Sequence, residues 1–120
     1  MAVRAIRGAI QLDVDEREHL LASTRQLVTE LLRANALPTE DLISMVFTVT
    51  ADLRSEFPAL AARELGLGDV PLLCTTEIDV PGAMPRVVRL MVHAEMDVPR
   101  ADVRHVYLRG AAALRRDLAQ

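Results

Sequence analysis

The chain has 120 residues, a formal net charge of −3 at pH 7 and 51% apolar residues, with no Trp, one Tyr and two Phe. That length suits one domain, expected to span residues 1–120, built on an aliphatic core. No basic run exceeds the pair Arg115-Arg116, which argues against a nucleic-acid partner, and no apolar run nears the ~18 residues that a membrane span requires.

Val3 to Leu12 has strand composition, with Arg4, Ile6, Ile10 and Leu12 on one face and Ala5, Arg7, Ala9 and Gln11 on the other. The small residues around Arg7 leave room for a ligand. The basic-then-apolar layout of a signal peptide is absent, because Arg4 and Arg7 lie inside the apolar stretch. Asp13 and Asp15 offer helix-start chemistry, with Glu18 as a capping-box partner for Asp15. From Glu16 to about Asn35, Leu20, Thr24, Leu27, Val28, Leu31 and Leu32 recur at helical spacing, predicting one long amphipathic helix ended by Asn35 and Pro38.

Leu42 to Thr50 alternates Ile43, Met45, Phe47 and Val49 against Ser44, Val46, Thr48 and Thr50, a second strand. Phe57-Pro58 opens a short helix through Arg63 that stops at Gly66. Leu72 to Ile78 is a third strand, followed by a loop at Pro81-Gly82 and Pro85. Arg86 to Glu95 is a fourth strand with Val88, Leu90, Val92 and Ala94 on its apolar face. Asp97 to Ala101 reads as a turn or short helical connector and Arg104 to Leu108 as a fifth strand; Ala111 to Leu118 reads as strand or helix. The order β-α-β-α-β-β-β predicts an α+β domain with a mixed sheet packed with one long helix. The uncovered face, carrying Arg7, Arg89 and His93, predicts an oligomer with sites at subunit interfaces.

Arg89 within Val87-Val88-Arg89-Leu90-Met91-Val92 is the anomaly of the chain. A guanidinium stays charged, and burying one unpaired costs several kcal/mol, so an anion must meet it. Arg7 repeats the oddity, and Glu77 is a possible counter-charge. Arg7, Arg63, Arg89 and Arg115 around one cleft would bind a small dianionic acid through bidentate forks. A purely structural Arg89–Glu77 ion pair explains the spacing equally well.

Other chemistries are less well supported. His93, Glu95 and Asp97 alternate on one strand face as metal ligands would, but also as a solvated polar edge would. Cys74 has no local base and reads as a structural or cleft-lining thiol. The single cysteine also rules out an intrachain disulfide framework and fits a reducing compartment, so a cytoplasmic location is expected. All fourteen cationic residues are Arg, and the absence of Lys removes Schiff-base chemistry. No glycine-rich phosphate loop occurs, which disfavours a nucleotide cofactor.

Taken together, Val3-Arg4-Ala5-Ile6-Arg7-Gly8-Ala9, Phe57-Pro58-Ala59, Ala62-Arg63-Glu64-Leu65, Val70-Pro71 leading to Cys74 and Glu77, Arg86-Val87-Val88-Arg89, Asp97-Val98-Pro99, Arg104-His105-Val106-Tyr107-Leu108 and Leu114-Arg115 with Asp117-Leu118 resemble the monofunctional AroH-type chorismate mutases over nearly the full length. The resemblance implies a homotrimer in a pseudo-α/β-barrel arrangement with active sites at subunit interfaces. It implies the Claisen rearrangement of chorismate to prephenate, which needs no cofactor, metal or nucleophile. It further implies that Arg89 stabilises the ether oxygen and that Glu77 meets the ring hydroxyl, with Cys74 on the same wall. Arg7, helped by Tyr107, would bind the side-chain carboxylate. Phe57, Ala59, Arg63, Leu72 and Leu73 would come from a neighbouring subunit, with Leu114 and Arg115 near the mouth. Leu60 and Leu73 stand where a Lys and a Thr can occur, and Arg116 where a Pro is often seen. The rival readings are an imine deaminase trimer of the RidA type, which lacks the Arg104–Leu108 segment, and a non-catalytic module that binds an organic acid.

Overall fold

The computed structural model describes residues 1–114. Strands β1 (Ala2–Gln11), β2 (Leu42–Val49), β3 (Leu72–Thr76), β4 (Val87–Met96) and β5 (Val106–Leu108) form one sheet in the order β3-β2-β4-β1-β5. Pairing is antiparallel for β1–β4 and β2–β4 and parallel for β1–β5 and β2–β3, so the sheet is mixed. Among the described residues two α-helices accompany it, α1 (Arg17–Ala34) and the single turn α2 (Ala59–Ala62).

The α1 helix forms where the periodicity places it, covers one sheet face with Leu20, Leu27, Val28 and Leu31, and also buries Leu21. Five aliphatic side chains taken out of water contribute on the order of 10 kcal/mol gross, an upper bound because unfolded chains also bury surface. Of these, Leu20, Leu27, Val28 and Leu31 share one core cluster with Ile6 and Ile10 of β1, Phe47 of β2 and Val88, Leu90 and Val92 of β4. Gly8 lets the helix lie close: a Cβ there would stand 3.1 Å from the tips of both Leu27 and Leu31. The polar residues buried on the helix are satisfied locally. Thr24 donates to the Leu20 carbonyl at 2.8 Å, and Ser23 accepts from Arg109 at 3.0 Å.

The cap of α1 differs from expectation. Glu16, not Asp15, is the N-cap, and its carboxylate accepts from the backbone N–H groups of Glu18 and His19. Asp15 instead accepts from the backbone N–H groups of Arg54 and Ser55, each at 3.1 Å. A distant loop with two unsatisfied donors competes for the shorter carboxylate, and the longer Glu16 side chain can curl back to the helix. At the other end, Asn35 caps α1 and also clamps the backbone of Arg104.

Other departures are small. A register shift between Leu42 and Ser44 turns Ile43 out of the apolar row of β2 and leaves it exposed. The expected third strand ends at Thr76, although the Glu77 N–H still bonds the Val49 carbonyl at 2.9 Å. The short helix opened by Pro58 widens over Arg63–Leu67 and ends with Gly66 at φ +88°, a conformation glycine adopts without steric cost. The connector before β5 contains a 3₁₀ turn at Arg100–Asp102. The segment expected from Ala111 begins as a 3₁₀ turn, Arg109–Ala113; its continuation, with Arg115, Arg116, Asp117 and Leu118, lies outside the described residues.

Candidate active site

Strand alternation sorts the charges. On β4, Val88 and Leu90 point into the α1-covered core, whereas Arg89 points to the opposite face. Register then supplies its neighbours: Arg89 pairs with Ala9 on β1 and with Thr48 on β2. The small Ala9 side chain gives the guanidinium room on one side. Tyr107 on β5 is the next cross-strand neighbour beyond Ala9, and Arg7 lies opposite Met91 two positions along. Arg7, Thr48, Glu77, Arg89, Met91 and Tyr107 thereby line one cleft of about 200 Å³.

The cleft's charges are incompletely matched. Arg89 Nε lies 3.4 Å from Glu77 Oε1 with the two side chains 41% and 31% exposed. That nitrogen is itself buried and makes no hydrogen bond. Glu77 Oε1 accepts its hydrogen bond from Thr48 Oγ1, at 2.6 Å. The Arg89–Glu77 contact is therefore a loose ion pair rather than a closed fork, and the guanidinium is less buried than its apolar sequence context implies. Among the described residues no helix covers the sheet face above it, and the Arg89 side chain is 41% exposed there. Such an arrangement can receive a carboxylate and an ether or hydroxyl oxygen.

The other sequence-predicted residues distribute differently. Cys74 faces away from Glu77 and, with Phe57 and Pro58, lines a second cleft of about 360 Å³. Within one chain it does not share a wall with Glu77. Ala59 is buried in the main core, Arg63 is exposed, Leu72 packs against the core and Leu73 stands 61% exposed on the opposite sheet face from α1. Leu114 packs, half-buried, against the small cluster of Ala9, Val87, Tyr107 and Ala111. Arg115 lies outside the described residues. A further cleft of about 260 Å³, between Thr50–Arg54 and Ile78–Pro85, holds none of the predicted groups, so size alone does not identify the site.

His93 shares a 3.2 Å hydrogen bond with Ser44, and Asp97 sits 3.7 Å from the amino terminus. Among the described residues no group of three or more His, Cys, Asp or Glu side chains is arranged to hold a metal ion. His105 accepts the Arg7 backbone N–H at 2.9 Å and so holds the strand that presents Arg7. Thr48 and Met91 are among the cleft residues that the sequence reading does not single out. Alternation places each on the correct face, but only the pairing of β2 and β1 with β4 sets them beside Arg89 and Arg7.

The fold and cleft define a class: a small α+β protein with a guanidinium-rich pocket on an open sheet face. The model of the family chorismate mutase type I matches residues 3–118, and the chain belongs to that family. It is 49% identical over 117 residues to chorismate mutase AroH of Thermus thermophilus, covering 97% of this chain and 96% of that protein. It is 40% identical over 120 residues to chorismate mutase AroH of Bacillus subtilis (strain 168), covering 99% and 94%. A solved chorismate mutase from Clostridium thermocellum superposes with a TM-score of 0.89 at 42% identity, covering 91% of this chain and 97% of that one. The activity is that of a chorismate mutase, an intramolecular isomerisation. The imine-deaminase and non-catalytic readings therefore have no support.

Proposed function

We propose that the Arg7–Glu77–Arg89–Tyr107 cleft is where this enzyme converts chorismate to prephenate, the precursor of phenylalanine and tyrosine. We further propose that residues 1–120 act as one chorismate mutase domain in a cytoplasmic homotrimer. The observation that carries the site is the loose Arg89–Glu77 pair, flanked by Arg7 and Tyr107 on the open sheet face.

The rearrangement breaks an ether C–O bond while a C–C bond forms within the same molecule. It therefore requires no proton transfer, nucleophile or metal. Two physical effects remain. The first is holding the flexible enol-pyruvyl arm over the ring, which removes conformational freedom before the barrier is climbed. Arg7 and Tyr107 would anchor the side-chain carboxylate for this. The second is preorganised charge: the ether oxygen becomes partly negative and the ring partly positive in the transition state. Arg89 would meet the oxygen, and Glu77 would meet the ring hydroxyl and the electron-poor side.

The division of the predicted residues between two clefts supports a site shared by subunits. One copy would supply Arg7, Glu77, Arg89 and Tyr107, with Leu114 and Arg115 near the mouth. Its neighbour would supply Phe57, Ala59, Arg63, Leu72 and Leu73, with Cys74 beside them. The exposed Val3 and Leu73 on the opposite sheet face from α1 give such an interface apolar contact. A head-to-tail contact of two different surfaces closes into a ring when the rotation permits, as in a trimer. Among the described residues no helix is long and apolar enough to cross a membrane.

The test is subunit complementation. R89K and R63A are each expected to be nearly inactive in an assay following the loss of chorismate absorbance. Co-refolded in equal amounts, they should regain up to about a quarter of wild-type activity, because random assembly joins an intact half-site from each parent at that frequency. A mixture no more active than its components would refute the shared site.

A further inference from the structure

Glu77 and Arg89 carry opposite charges close together, yet they do not form the bidentate fork that a carboxylate and a guanidinium favour. A third residue, Thr48, holds the carboxylate. Thr48 lies directly across from Arg89 in the β2–β4 ladder, so its side chain rises from the same face. Glu77 follows β3, and its backbone N–H is fixed to the Val49 carbonyl, one residue beyond Thr48. This tether brings the Glu77 carboxylate back over Thr48, whose hydroxyl donates to Oε1 at 2.6 Å. Oε1 is also the oxygen 3.4 Å from Arg89 Nε, the nitrogen left without a hydrogen bond.

We infer that Thr48 is a positioning residue: its hydroxyl occupies Glu77 Oε1 and keeps the carboxylate from closing onto Arg89, so that both charged groups stay available to the substrate. The inference rests on the site proposed above. The chemistry favours the exchange. A short O–H···O⁻ bond satisfies the carboxylate oxygen locally. The guanidinium then keeps donors for a substrate oxygen rather than spending them on the protein. Without the hydroxyl, Oε1 would lose its only hydrogen bond among the described residues, and the nearest available donor is Arg89. A closed Glu77–Arg89 pair would have to be opened on every turnover.

The experiment compares T48V, which keeps the shape and removes the hydroxyl, with T48S, which keeps the hydroxyl and removes a methyl, each alone and combined with E77Q. T48V is expected to lower kcat/KM about 10- to 100-fold, in line with misplacement of groups around a reacting centre, with an unchanged melting temperature. T48S should restore most of that loss. In the E77Q background T48V should cost little more, because its effect runs through the carboxylate. Wild-type-like activity of T48V would overturn the inference. So would a loss of the same size in the wild-type and E77Q backgrounds, since Thr48 would then act through packing. If R89K and E77Q are impaired while T48V is not, only the role of Thr48 falls. If R89K and E77Q both keep full activity, the site reading falls with it.

Discussion

Replacing Arg89 separates its two possible roles, a structural counter-ion and a group aimed at the transition state. Two unit charges 3.4 Å apart attract by about 5 kcal/mol at an effective dielectric constant near 20. At the exposure of these side chains, water screening and desolvation reduce the net value of such a pair to about 1 kcal/mol or less. Loss of the pair should thus lower the melting temperature by no more than about 4 °C. Catalysis should respond far more strongly. Removing one preorganised donor to a developing oxyanion costs about 10²- to 10³-fold in kcat, or ~2.7–4 kcal/mol. Citrulline at position 89 keeps the shape and removes the charge, while R89K keeps a charge and loses the planar fork. Both variants should therefore lose turnover by at least that factor, with KM changing much less. The assay is the loss of chorismate absorbance over a range of substrate concentrations, paired with thermal unfolding. Equal losses in kcat and in binding would show that Arg89 holds ground state and transition state alike. A fall in activity that merely tracks a collapse in melting temperature would return the residue to a structural role.

Three further outcomes follow from the same structure. The turnover number should be nearly flat from about pH 6 to 8, because no catalytic proton moves; a bell-shaped profile would implicate His93 or His105. Acid should loosen the loop that presents Phe57. Burial alone would raise the Asp15 carboxyl, but hydrogen bonds from the Arg54 and Ser55 backbone N–H groups, with the Arg54 charge nearby, hold the group below its ordinary 3.8. Glu56 is likewise held below 4.5 by the Phe57 N–H and by Arg17. Carboxyls depressed in the folded state stabilise it fully above their unfolded values and lose that contribution as pH falls through the folded ones. Melting temperature should therefore decline below about pH 4.5, and the double variant D15N/E56Q should flatten that decline; an unaltered slope would exclude these two groups. In the core, F47A deletes the largest fully buried side chain and should cost about 3–5 kcal/mol in denaturant unfolding, against less than 1 kcal/mol expected for a surface change.

Much of the fold was legible because its signals are local. Period-two alternation put Arg7 and Arg89 opposite Ile6 and Val88, and helical spacing marked α1 through Leu20, Leu27, Val28 and Leu31. The cap of α1 is not legible because Asp15 has a better use 39 positions away, at Arg54. The orientation of Ile43 is not legible either, because a register irregularity is a property of two strands and not of one. Arg89 reads as buried because its neighbours are; that no helix among the described residues lies over its face is a fact about the whole sheet.

The amino-acid sequence alone determined which residues share a face, where the long helix runs, and that charges sit among apolar neighbours, since these depend on side-chain periodicity within a few turns or pleats. The tertiary structure alone decided the strand order β3-β2-β4-β1-β5 and the register that aligns Ala9, Arg89 and Thr48. Strand pairing is a contest among distant segments, settled by the burial and hydrogen bonding of the whole sheet at once. The Thr48 hydroxyl bound to Glu77 beside Arg89 is a product of that contest: each of the three residues comes from a different segment, and no short window of the chain contains them together.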